Sequence, residues 1–229
     1  LIAKPLGSLL FFIYNIVNNY AIAIILFTVI VKVLLLPLTL NQVKQTKEMQ
    51  KIQPELKKLQ DKYKNDKETL NKKMMELYSE HKINPLGGCL PLIIQMPILF
   101  GLFGALRNPV EYVFKGKEAL ASIATDAPFL WLQNLVDPDV FMLGGFEVPG
   151  ILPIIAAVST YLSMNTMNSA ANQADQPQAM KTMNLLLPLM ILWWGKSFPA
   201  GLTLYWVISN LFQMAQQLLL PKGVKLKEE

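Results

Sequence analysis

YAIAIILFTVIVKVLLLPLTL, running from Tyr20 to Leu40, is apolar along almost its whole length. A helix needs roughly 20 such residues to cross a hydrocarbon layer. Lys32 alone interrupts the run with a charge. Four more apolar segments follow: Cys89 to Leu106, Val148 to Met167, Met180 to Trp194 and Leu202 to Leu220. The reading is an all-α polytopic membrane protein, with five transmembrane helices around a hydrophilic groove open to the cytoplasm.

Composition points the same way. Of 229 residues, 52% are apolar and 16% charged, where an ordinary soluble domain carries about 25% charged residues. One cysteine, Cys89, excludes an intrachain disulfide. The net charge of +5 is unevenly placed. Asn41 to Asn84 holds eleven lysines against seven acids, and Asn108 to Gly150 two lysines against six acids. Lysine-rich loops stay cytoplasmic. Five crossings then put the N-terminus outside and the C-terminus in the cytoplasm of a bacterial cell membrane.

The expected order is a surface helix on the extracytoplasmic side (1–17), the first span (18–40), a cytoplasmic helical hairpin (41–84) and the second span (85–107). An extracytoplasmic loop (108–147), the third span (148–167), a cytoplasmic loop (168–180) and the fourth span (181–195) come next. An outer turn (196–200), the fifth span (201–220) and a basic cytoplasmic tail (221–229) complete the chain. Leu6, Leu9, Leu10, Ile13 and Ile16 fall near one face of the first helix. Within the hairpin, Ile52, Leu56, Leu59 and Tyr63 form one stripe, and Leu70, Met74, Leu77 and His81 a second. Asn65-Asp66 supplies the turn between them. Pro54 sits in a first turn or marks a bend. The chain begins with leucine, so the expectation is that something has been removed upstream.

Lys32 is the most informative residue. A lysine near a helix centre costs about 2.5–3.5 kcal/mol on insertion scales. The end of its run lies about 12 Å away at the helical rise, farther than snorkelling comfortably reaches, so a wet cavity is the alternative. Thr28 lies one turn before Lys32, and Thr39 two turns after it. Gln95 stands between Pro91 and Pro97 in the second segment. Ser159, Thr160, Ser163, Asn165 and Thr166 crowd one end of the third. Thr182 and Asn184 open the fourth, and Ser209, Asn210, Gln213, Gln216 and Gln217 sit in the fifth. This polarity gathers in the halves assigned to the cytoplasm, which suits a pocket closed outward better than a channel. Interhelical polar glue is the bland alternative. Trp193, Trp194, Tyr205 and Trp206 read as interface anchors or as a greasy groove wall.

Nothing argues for an enzyme. There is no Walker loop, dinucleotide fingerprint or zincin motif, and the one histidine, His81, lies outside the spans. No cofactor, metal, nucleic acid or small-molecule substrate is expected. A small-molecule transporter would show an internal repeat, and the five unequal segments show none.

Three stretches carry a family resemblance: IVKVLLLPLTLNQVKQTKEMQKIQPELKKLQDKY, NPLGGCLPLIIQMPILFGLFGALR and NLLLPLMILWWGKSFPAGLTLYWVISNLFQMAQQ. Together they resemble the YidC family of membrane protein insertases within the Oxa/YidC/Alb superfamily, in its compact Gram-positive, five-span form. Members of that type are commonly lipoprotein precursors, whose lipobox cysteine would lie upstream of Leu1. The resemblance implies a non-enzymatic insertase or chaperone. Its positive groove receives nascent membrane proteins and releases their helices laterally into lipid. The groove position that commonly carries arginine is Lys32, which keeps the charge and loses the bidentate fork. Thr28, Gln95, Asn165, Asn184, Ser209 and Gln213 would line it. The implied partners are nascent membrane proteins, the ribosome, the secretory translocon and anionic lipid headgroups. The rival reading is a membrane-protein assembly factor without a translocation step.

Overall fold

The structure, a computed structural model, describes residues 2–83, 90–168 and 178–219. Cys89, most of the 168–180 loop and the 221–229 tail lie outside these residues.

Helix α1 (Ala3–Val17) turns back through Asn18, which takes the left-handed conformation with φ 51°, a state that asparagine tolerates better than most residues. Asn19 then caps α2 (Tyr20–Leu34), its side chain accepting the Ile22 N–H at 3.0 Å. These two asparagines fold α1 against α2, and α1 buries Leu10, Ile13 and Tyr14 there. Ile16, expected on the same face, is exposed. Gly7 passes so close to Tyr112 that a Cβ would run into its carbonyl.

α2 ends at Leu34 and α3 (Leu36–Lys51) starts two residues later. Pro37 lacks an N–H to continue the ladder. After Ile52 comes α4 (Gln53–Lys62), with Pro54 in its first turn. Asp66 caps α5 (Lys67–Glu80) by accepting the Thr69 N–H at 3.0 Å. α4 and α5 enclose a small apolar centre of Ile52, Leu56 and Leu77. His81 Nε2 lies 3.6 Å from Glu55 across that hairpin.

α6 (Leu90–Arg107) leads into two short helices, α7 (Pro109–Tyr112) and α8 (Glu118–Thr125). An antiparallel ribbon follows, β1 (Val140–Leu143) with β2 (Phe146–Pro149), paired Leu143 to Phe146 and Val140 to Pro149. Gly144 and Gly145 make its turn at positive φ. The stretch read as a plain loop, 108–147, is therefore structured, and it delivers Val113, Phe114, Ala121, Leu132 and Leu135 to the main core. Phe114 is ringed by Phe11, Tyr14 and Tyr20 at centroid distances of 5.7, 5.3 and 5.8 Å. The chain closes with α9 (Ile151–Asn168), α10 (Gln178–Gly195) and α11 (Ala200–Leu219). α11 packs on α9 and α2, and α10 packs on α9.

Among the described residues, no helix is long and apolar enough to cross a membrane. This corrects the five-span expectation, and the multi-pass cell-membrane location and the orientation derived from it fall with it. The physical reason is visible in α2, α9, α10 and α11. α2 has 15 residues, which at the helical rise is about 22 Å against a hydrocarbon thickness of about 30 Å. The last turns of α9 are polar, from Ser159 to Thr166, and α10 begins with polar residues. α11 carries Asn210, Gln213, Gln216 and Gln217. The side chains taken as lining interrupt the apolar length. The all-α description holds apart from the short ribbon.

Candidate functional site: a lysine at the head of a polar seam

Lys32 occupies the last turn of α2, not the middle of a long helix. The unsatisfied carbonyls of a helix C-terminus favour a cation there. Lys32 is half-buried, and its Nζ donates to Gln95 Oε1 of α6 at 3.3 Å. Gln95 Nε2 donates in turn to the Tyr205 hydroxyl of α11. Ser209 follows one turn along α11, also buried. Among the described residues no carboxylate pairs with Lys32. The ammonium is thus held by a neutral amide, and burial lowers its pKa to about 8.

α11 is the spine of this polarity. Tyr205, Ser209, Gln213 and Gln216 recur at helical spacing along one side of it. Gln216 Nε2 donates to Thr39 Oγ1 of α3 at 2.9 Å. Toward α9, Asn210 Nδ2 donates to Ser159 Oγ at 3.0 Å and to Thr160 Oγ1 at 2.8 Å. Thr166 Oγ1 donates to Gln217 Oε1 at 2.7 Å. One helix therefore ties α3, α6 and α9 together through hydrogen bonds.

The structure brings some of the expected residues together and separates others. Lys32 and Gln95 are bonded directly. Thr28 is fully buried and donates to the carbonyl of Ile24 at 2.7 Å, closing its own helical turn. Asn165, Asn184 and Gln213 are half-buried on α9, α10 and α11 and engaged in interactions of their own. Of the aromatic residues, Trp193 and Trp194 are exposed, with Lys196 Nζ 4.3 Å from the Trp193 ring centroid. Trp206 packs at the margin of the core. Tyr205 differs from the other three: it is 1% exposed, and its hydroxyl belongs to the polar seam. The spacing of Tyr205, Ser209, Gln213 and Gln216 was the available signal for that role. Its ring, set among tryptophans, pointed the other way.

The arrangement defines a helical protein with a cationic polar site that no carboxylate compensates among the described residues. Among the described residues, no group of His, Cys, Asp or Glu could hold a metal ion. The family model described as 60Kd inner membrane protein matches residues 12–228. A protein of Fusobacterium nucleatum subsp. nucleatum named membrane protein insertase YidC is 43% identical over 206 residues, covering 90% of this chain and 88% of the relative. A second of that name, from Caldanaerobacter subterraneus subsp. tengcongensis, is 39% identical and covered to 96%. A third, from Geobacter sulfurreducens, is 37% identical over all of this chain, which spans only 38% of it. A crystal structure described as an active YidC insertase with the first transmembrane domain resolved shares the fold. Its TM-score is 0.69 at 24% identity, over 95% of this chain and 46% of that one.

The chain belongs to the family of the 60Kd inner membrane proteins, that of the YidC membrane protein insertases. Membership gives it an insertase or chaperone role in general terms, and that role is not enzymatic. The family expectation therefore stands, and its five-span form does not.

Proposed function

We propose that this protein receives nascent membrane proteins at Lys32 and passes their apolar helices to lipid. The observation that carries the reading is the Lys32 ammonium, half-buried, bonded to the Gln95 amide and without a carboxylate partner among the described residues. A site of this kind attracts a short acidic segment and lowers the cost of taking its polar groups out of water. In this reading Thr28, Gln95, Asn165, Asn184, Ser209 and Gln213 line the path that the segment takes past the charge. The lysine-rich 41–84 segment supplies a surface for the ribosome or for anionic headgroups, and the secretory translocon is a further partner in this reading. Once the apolar helix of the client is buried in lipid, release follows without nucleotide hydrolysis.

A second reading, an assembly factor without a translocation step, draws on the Asn210 and Thr166 bonds, which clamp α11 to α9 as packing does. Purified protein in liposomes separates the two. The substrate is a single-span protein with an acidic translocated segment. The intact chain is expected to insert it, and Lys32→Ala to insert it several-fold less. Equal insertion by Lys32→Ala removes the electrostatic capture step, and no insertion by the intact chain removes the insertase reading.

A further inference from the structure

The Gln95 amide lies between two groups that make different demands on it. An ammonium has only donors, so it can donate to the amide oxygen and cannot pair with the amide N–H groups. The amide nitrogen must then find an acceptor on its other side, and the Tyr205 hydroxyl is that acceptor. Tyr205 is held firmly enough to act as a reference point. Its ring is 1% exposed and belongs to the main core cluster, and α11 is tied beyond it to α9 by Asn210 and to α3 by Gln216. The Lys32 side chain, by contrast, is half-buried and ends on a flexible four-carbon stem.

We propose that Tyr205 is the positioning residue of the site: by accepting the Gln95 N–H it fixes the amide with its oxygen toward Lys32, and so fixes where the ammonium waits for an acidic segment. The inference rests on the capture reading above and adds a residue that touches neither the ammonium nor the client. Without the hydroxyl, the amide nitrogen loses its partner in a partly buried place and the amide is free to turn. A turned amide presents N–H groups to the ammonium and drives it from its station.

Tyr205→Phe removes one oxygen and keeps the ring in the core. Two measurements on the full chain test the idea. The first is the rate at which an amine-reactive reagent modifies Lys32, read by mass spectrometry. The expected result is a several-fold change in Tyr205→Phe that Gln95→Leu reproduces and that Tyr205→Phe with Gln95→Leu does not enlarge. The second is insertion into liposomes of two single-span substrates, one with an acidic and one with a neutral translocated segment. Tyr205→Phe is expected to lose roughly three- to tenfold on the acidic substrate, the span of one hydrogen bond between neutral groups, and nothing on the neutral one. Unchanged Lys32 reactivity overturns the proposal, and so does an equal loss on both substrates, which marks a purely structural role. Changed reactivity with no insertion even by the intact chain upholds the positioning and overturns the capture reading instead.

Discussion

Asn210 shows how much one amide does in this protein. It is buried and donates to two hydroxyls, Ser159 and Thr160, on the facing helix. Both hydroxyls also donate to the carbonyl of Ala156, at 3.0 and 2.7 Å. Removing the amide therefore leaves them partnered, and the cost is confined to the lost interhelical bonds. Asn210→Ala is expected to lower stability by about 1–2 kcal/mol, measured by equilibrium denaturation. A loss near zero would mean that the amide is idle. Lys32 carries a different lesson. As a sequence position it looked stranded inside an apolar run. In the structure it lies in a last turn, where the helix end and the Gln95 oxygen both favour its charge.

The hairpin of α4 and α5 depends on its turn as much as on its three-residue centre. Asp66 accepts from both the Thr69 backbone and the Thr69 hydroxyl, at 3.0 and 2.6 Å. These bonds hold its carboxyl below the usual carboxylate range. For a depressed carboxyl, the stabilisation is fully present above the unfolded value and is lost as pH falls through the folded one. The first turn of α5 should therefore fray in acid, and there the amides of Thr69 and Leu70 should lose their protection against exchange, taken relative to the intrinsic rate. Asp66→Ala is expected to show that low protection already at neutral pH and to lose its pH dependence. An exchange profile identical to the native one would refute the cap. The turn and part of each stripe (Ile52, Leu56 and Leu59 in one, Met74 and Leu77 in the other) were legible in the sequence, because helical spacing and an Asn-Asp pair are local signals, whereas His81 is exposed. The break between α2 and α3 was missed by the reading of one span over 18–40, because the length of the apolar run concealed it.

The whole molecule is organised around two centres that no short stretch of sequence reveals. One is the aromatic cluster on Phe114, built from α1, α2 and the segment after α7. Phe114→Ala is expected to cost about 3–5 kcal/mol, read as a lower denaturation midpoint, because three rings lose their common partner. A shift of under 1 kcal/mol would show that the cluster relaxes freely. The other centre is the polar seam of α11, where Lys32, Gln95 and Tyr205 meet from three helices distant in the chain. Sequence alone determined the helical character, the stripes of the hairpin, the singular status of Lys32 and the family, since periodicity, composition and motif are properties of neighbouring residues. Tertiary structure alone decided that Tyr205 faces inward, that Thr28 serves its own helix and that the 108–147 stretch feeds the core. It also set the helix lengths against the five-crossing reading. Which face of a helix meets which neighbour depends on packing between remote segments, and periodicity within one helix carries no record of the partner it will meet.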